Sequence, residues 1–259
     1  MAELNETLRV IGNRRSIRAY SKQPVTGEEK DLILKAAFRS PTAGNLMLYS
    51  IIEIEDQQIK DKLAVSCDNQ PFIATAPWVL LFLADYQRWF DYFTHCGVEG
   101  LAKEQGIPFR KPQSGDLMLA CCDALIAAQT AVVAAESLGI GSCYIGDILE
   151  NYEYHRELFN LPPYTIPITM LCFGHPAKTS ARQTSRMNVA AIVHKNKYHR
   201  FSGEELGTVY SDTELEFQTR THAGKYENAG QEIFFRKFAA DYATEMNRSV
   251  KVMLQNWGQ

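Results

Sequence analysis

The sequence predicts an α+β fold on three observations. Helix-like segments alternate with short β-rich runs over the first ~185 residues, one stretch of about twenty residues is apolar nearly all round, and the chain turns more polar from Asn188 onward. In order, a helix is expected at 3–12 and another at 27–38, where Thr26 is placed to cap it. Asp56 opens a third at 57–65, and a fourth covers about 86–95. Thr and Asp mark such starts because their side-chain oxygens accept from amides that the first turn leaves unpaired. Between these helices, Tyr49-Ser50-Ile51-Ile52-Glu53-Ile54 and Trp78-Val79-Leu80-Leu81-Phe82-Leu83 are short, β-rich and bounded by polar residues or Pro, as buried strands are. A long helix at 117–138 follows Gly115-Asp116 and stops at Gly139. Asp123, Gln129 and Thr130 are the chief breaks in its apolar surface, so it belongs either in the core or in a subunit interface. Strands at 142–145 and 165–173 follow. Residues 1–187 are expected to form one compact domain, and 188–259 a helical extension with helices near 203–218 and 231–255.

With 46% hydrophobic and 22% charged residues, the 259-residue chain has a globular composition, neither low-complexity nor membrane-like. Lys and Arg number 27 against 30 Asp and Glu, a net charge of −3, so no global positive field exists to hold nucleic acid or an anionic bilayer. The opening MAELNETLRV lacks the build of a signal peptide, and the apolar run 76–84 is too short to cross a bilayer; a cytoplasmic protein without a membrane partner is expected. Cysteines at 67, 96, 121, 122, 143 and 172 form no Cys-x-x-Cys and are expected as buried, reduced thiols.

Positive charge is concentrated locally. Residues 7–27 carry Arg9, Arg14, Arg15, Arg18 and Lys22 and no acid. In extended backbone Arg14, Ser16 and Arg18 share one side with Ile17 turned away, and two guanidinium forks around a hydroxyl suit a phosphate; a solvated basic loop is the alternative. A second acid-free stretch, 158–203, carries Lys178, Arg182, Arg186, Lys195, Lys197 and Arg200, and the two together would grip one phosphate from opposite sides. Ser40-Pro41-Thr42-Ala43-Gly44-Asn45 is either a plain helix-to-strand turn or a set of hydroxyl and amide groups for a heteroaromatic edge. Gly139-Ile140-Gly141 is no dinucleotide fingerprint, because a helix precedes it and a strand follows; Gly146 remains as the point where backbone can approach a ligand. The commonest hydrolase and phosphoryl-transfer motifs are absent, and Cys172 lies in an apolar strand, which argues against a zinc site with His175, His194 and His199.

Six pieces, Arg14-Arg15-Ser16-Ile17-Arg18, Ser40-Pro41-Thr42-Ala43-Gly44-Asn45, Asn69-Gln70-Pro71-Phe72, Asp85-Tyr86-Gln87-Arg88, Tyr144-Ile145-Gly146-Asp147 and Phe173-Gly174-His175-Pro176, occur in the order seen in FMN-dependent nitroreductases. The chain resembles that family over about residues 9–187, and most of all the subgroup of flavin reductase P and the major oxygen-insensitive nitroreductases. The resemblance implies a mostly antiparallel central sheet flanked by helices, and a homodimer on which the C-terminal extension packs. It implies FMN as cofactor, NADPH or NADH as hydride donor, and a nitroaromatic, quinone or flavin as oxidant, with no metal and no side chain acting as catalytic acid or base. A flavin storage or sensor protein of the same fold is the alternative. By the same resemblance Arg14, Ser16 and Arg18 hold the phosphate and pyrimidine side of FMN, Gln70 its pyrimidine end or ribityl chain, and the backbone at Ile145, Gly146 and Asp147 faces N5. Pro41, Thr42, Ala43 and Asn45 approach from the partner subunit. This sequence departs from the family at Met47, where Gln is usual, and at Ala181-Arg182-Gln183-Thr184-Ser185-Arg186, which replaces Lys-Pro-Arg. The resemblance gives the second phosphate contact to Arg182 and Arg186, with Lys178 as substitute, and Arg220 is either a candidate for the dinucleotide or a solvated surface arginine.

Overall fold

The computed structural model describes residues 5–177, 183–219 and 224–258. The chain divides into two compact units, Met1–Arg182 with Glu245–Gln259, and Gln183–Thr244.

The first unit is built on four strands, β1 (Tyr49–Glu53), β2 (Trp78–Asp85), β3 (Gly141–Ile145) and β4 (Thr165–Gly174). They run in the order β1-β2-β4-β3, every pair antiparallel. Among the described residues its helices are α1 (Glu6–Asn13), α2 (Gly27–Phe38), α3 (Gln57–Ser66), α4 (Phe72–Thr75), α5 (Gln87–His95), α6 (Val98–Glu104), α7 (Ser114–Ser137) and α8 (Tyr152–Leu158). All eight residues of β2 are buried because both faces of the sheet are covered. Trp78, Leu80 and Phe82 face α2 and α7, while Val79, Leu81 and Leu83 meet Leu63 of α3 and Ile73 of α4. Start signals act as the sequence suggests: Thr26 and Glu29 form a reciprocal capping box on α2, and Asp56 accepts from Gln58 N at 2.7 Å.

By length and composition α7 would suffice to cross a bilayer, which the run 76–84 does not. In the fold it is a core helix. Its inner face is mostly alanine, Ala120, Ala124, Ala127, Ala128, Ala131 and Ala135, buried with Leu117, Asp123 and Val132 against the sheet and α2, while Met118, Leu119, Leu125 and Ile126 are exposed. Small residues let helix and sheet approach closely, and the large apolar side chains are left outside.

The second unit holds α9 (Gly203–Val209), α10 (Ser211–Gln218), α11 (Ala229–Ile233), a π-helical turn Phe234–Phe238 and the start of α12 (Asp241–Asn256). The single helices expected at 203–218 and 231–255 are thus both interrupted, the first at Tyr210. An apolar cavity of about 550 Å³ lies among Leu206, Tyr210, Ile233, Phe234 and Phe238. The later part of α12 belongs to the first unit, where Met253 is buried with Leu48, Leu117 and Tyr152.

Sequence periodicity passes over α4, α6 and α8. For α8 the reason is plain: it starts from left-handed Asn151 (φ 49°), and its first amides are capped from far along the chain, Asn151 N by Glu245 Oε1 at 3.1 Å and Tyr152 N by Ser249 Oγ at 3.1 Å. The cysteines also correct the expectation of six buried thiols. Cys67, Cys143 and Cys172 are buried, Cys121 is half-buried, and Cys96 and Cys122 are exposed, because α7 turns Cys122 to its outer face and Cys96 follows the exposed end of α5.

Candidate functional site

The segment Arg14 to Tyr20 lies along edge strand β3. Ile17 N donates to Ser142 O at 2.9 Å, Ser21 N to His175 O at 2.8 Å, and Ala177 N to Ala19 O at 3.0 Å. Two glycines make room. Gly141 and Gly174 face each other in the β3–β4 register, and a Cβ on Gly141 would fall 2.4 Å from Ile17 Cγ1, one on Gly174 2.7 Å from Tyr20 Cδ1. With Ile17 buried there, Ser16 and Arg18 stand exposed and Arg14 half-exposed, the alternation that the sequence suggests. The pairing of 19–21 with 175–177 also brings the two basic stretches into contact.

Arg14, Ser16 and Arg18 converge on Cys143 of β3. Burial pushes the Cys143 thiol up, and Arg18, the Ser16 hydroxyl and Arg14 pull it back. Among the described residues neither Arg14 nor Arg18 is ion-paired to a carboxylate, although Arg14 and Arg15 partly offset the burial that raises Glu136. Arg18 lies 5.9 Å from the centre of the Phe72 ring. Beside it, Asp68 (φ 56°) and Asn69 (φ 51°) turn the chain in the left-handed conformation that short polar residues tolerate, and so present Gln70. Gln70 Nε2 donates to Cys67 O at 2.9 Å and to Asp147 Oδ2 at 2.6 Å. With both amide hydrogens used, its carbonyl oxygen is the group left to accept from a ligand. Ile145 ends β3 in the core, and Gly146 follows, exposed, with open space where a side chain would be. Glu150, 5% exposed, is pushed up to about 7 by burial first and then by the charges of Asp147 and Asp68.

Pro41, Thr42, Ala43 and Asn45 lie elsewhere, on the loop that leads into β1 at the opposite edge of the sheet. That edge is three strand spacings from β3, about 14 Å. The helix α7 shows a separation as well. The loop is bonded to Asp123, whereas Arg14 acts on Glu136, thirteen residues and ~20 Å further along the helix. Gly44 (φ 57°), Asn45 (φ 59°) and Met47 (φ 51°) are all left-handed. Thr42 Oγ1 accepts from Met47 N at 3.2 Å, Trp89 Nε1 donates to Leu46 O at 2.6 Å, Arg88 donates to Met47 O, and Asp123 accepts from Ala43 N and Leu48 N. A cavity of about 420 Å³ opens beside the loop, lined by Asn45, Leu46, Met47, Arg88, Trp89 and Tyr92.

Of the remaining candidates, Arg186 belongs to the second unit, where it donates to Thr184 Oγ1 at 2.7 Å. Lys178, Arg182 and Arg220 lie outside the described residues. Sequence reasoning passed over Asp123, Trp89 and Cys143 as members of the site. The one available signal was Asp123 itself, a carboxylate interrupting an otherwise apolar helix.

Comparison with known proteins gives a consistent picture. A model of the Nitroreductase family matches residues 11–175. The chain is 31% identical over 252 residues to an FMN reductase (NADPH) of Bacillus subtilis strain 168, covering 96% of this chain and 97% of that one. It is 30% identical over 240 residues to a Cr(VI) reductase of Pseudomonas sp. strain G-1, covering 92% of each. A solved structure of B. megaterium NfrA2 superposes with a TM-score of 0.79 at 29% identity, covering 98% of both chains.

Proposed function

The chain belongs to the nitroreductase family, and from that membership we propose that it is an FMN-dependent NAD(P)H oxidoreductase, active as a homodimer on small oxidised molecules of the nitroaromatic, quinone or flavin type. The observation that carries the reading is the pair of guanidinium groups, Arg14 and Arg18, held at the β3 edge around Ser16 with no carboxylate partner among the described residues. A dianionic phosphate fits such a donor set. FMN held by Arg14, Ser16 and Arg18 would supply two-electron redox chemistry between a reduced nicotinamide and an oxidant.

The protein's part is to bind, orient and exclude water. Arg14 and Arg18 neutralise the phosphate, and the Ser16 hydroxyl adds a neutral donor. Gln70 presents its carbonyl oxygen, the end of the amide suited to an N–H or O–H donor on the flavin, because Asp147 and Cys67 O hold the other end. At Ile145, Gly146 and Asp147 the chain offers backbone without side-chain bulk. Pro41, Thr42, Ala43 and Asn45, some 14 Å of sheet away from Arg18, act on the flavin of the partner subunit. The exposed Met118, Leu119, Leu125 and Ile126 of α7 support a twofold pairing that covers them. Arg182 and Arg186 remain proposals for a second phosphate contact, 188–259 for an extension that packs on the dimer, and the cytoplasm for the protein's location.

The test is spectroscopic. The purified protein is expected to be yellow, to hold about one FMN per chain, and to bleach when NADPH or NADH is added without oxygen. Colour that neither nucleotide bleaches would favour storage or sensing, and a protein that cannot be reconstituted with FMN would overturn both readings.

A further inference from the structure

We propose that Asp123 is a positioning residue for the flavin site of the opposite subunit. It lies in the middle of α7, 2% exposed, and among the described residues it is ion-paired to no cation. Instead its carboxylate takes two backbone amides, Ala43 N at 2.9 Å through Oδ1 and Leu48 N at 3.0 Å through Oδ2. A buried carboxylate without a counter-ion is costly, and core packing alone would be served by the alanine that lines most of this face. What the carboxylate holds is specific. The two amides bracket Gly44, Asn45 and Met47, three residues in the left-handed region, and an unbranched apolar residue such as Met adopts that conformation only where its surroundings impose it. Trp89 and Arg88 grip the carbonyls of Leu46 and Met47 from the other side. Asp123 thus fixes the shape in which Thr42, Ala43 and Asn45 are offered, and it does so from the helix whose outer face is proposed to meet the partner.

The inference rests on the shared-site reading, and one experiment separates the two. Chains bearing different affinity tags are co-expressed, heterodimers are isolated, and tightly bound FMN per dimer is measured by absorbance after dialysis. Asp123→Asn keeps the shape but leaves one acceptor, and its homodimer is expected to bind FMN at least tenfold more weakly while retaining its melting temperature and dimeric state. Combined with Arg18→Ala, the arrangement matters. With both changes in one chain and a wild-type partner, each of the two sites carries one lesion and no tight site is expected. With one change in each chain, both lesions fall in the same site and one tight FMN per dimer is expected to remain. Wild-type affinity in the Asp123→Asn homodimer would overturn the inference, as would equal losses in the two arrangements, which mark a general structural role. The reversed pattern, with the tight site surviving only when both changes share a chain, would overturn the shared-site reading instead. If Asp123→Asn yields no dimer, Trp89→Phe releases the same loop from its other side, and unchanged flavin affinity there would count against loop positioning.

Discussion

Arg18 stands at the edge of the sheet with its guanidinium near Phe72 and no carboxylate partner among the described residues, so its charge is available to a ligand. Replacing Arg14 or Arg18 with Ala is predicted to weaken FMN far more than riboflavin, since only FMN carries the phosphate. Loss of one charge-assisted bond, roughly 1.5–3 kcal/mol, corresponds to about a ten- to hundredfold rise in Kd. Titration of both flavins measures it, and equal losses would assign the Arg pair to the fold. Glu150 makes a second prediction. Burial, reinforced by Asp147 and Asp68, holds its carboxyl up to about 7, whereas the unfolded chain returns it to the ordinary range near 4.3. The folded protein therefore binds the extra proton between those values, and the contribution is lost as pH rises through that window. Glu150→Gln, which cannot ionise, is expected to melt at a higher temperature than the parent at pH 8, with a smaller gain at pH 5. A difference independent of pH would exclude this titration as its cause.

At the scale of the element, α7 inverts the usual rule. Its buried face is mainly alanine and its exposed face carries Met118, Leu119, Leu125 and Ile126, so a hydrophobicity pattern sees apolar residues all round and no stripe. Volume separates the two faces. Ala128→Leu is predicted to force the helix off the sheet at a cost of about 1–3 kcal/mol. Each kcal/mol lowers Tm by roughly 2–4 °C in a body of this size, which calorimetry resolves. An unchanged melting temperature would mean that the alanine face is looser than its complete burial implies. The helix α8 teaches a related point. Its caps, Glu245 and Ser249, come from α12, nearly a hundred residues away, so no local motif announces it. Where the cap is local, as at Thr26 with Glu29 on α2, the helix was legible to the residue.

For the whole molecule, the decisive feature is that the two proposed half-sites lie on opposite edges of a single sheet. The β1-β2-β4-β3 order sends the Thr42–Asn45 loop to one edge and the Arg14–Arg18 segment to the other, so a twofold pairing would make each flavin site from both chains. Legible in the sequence were the α+β class, all four strands to within two residues, the helices with local caps, and the two basic stretches. Periodicity, β-rich composition and capping chemistry are properties of neighbouring residues. It also carried the ordered motifs that point to the family. Tertiary structure alone decided which of those motifs meet. The contact of residues 19–21 with 175–177, the grip of Asp123 on a loop eighty residues earlier, and the bond from Gln70 to Asp147 join positions whose separation along the chain says nothing of their distance in space. Such contacts arise when strands from distant segments pair and their side chains share one packed interior, which is why Asp123 read as an interruption in an apolar helix until the fold set a loop against it.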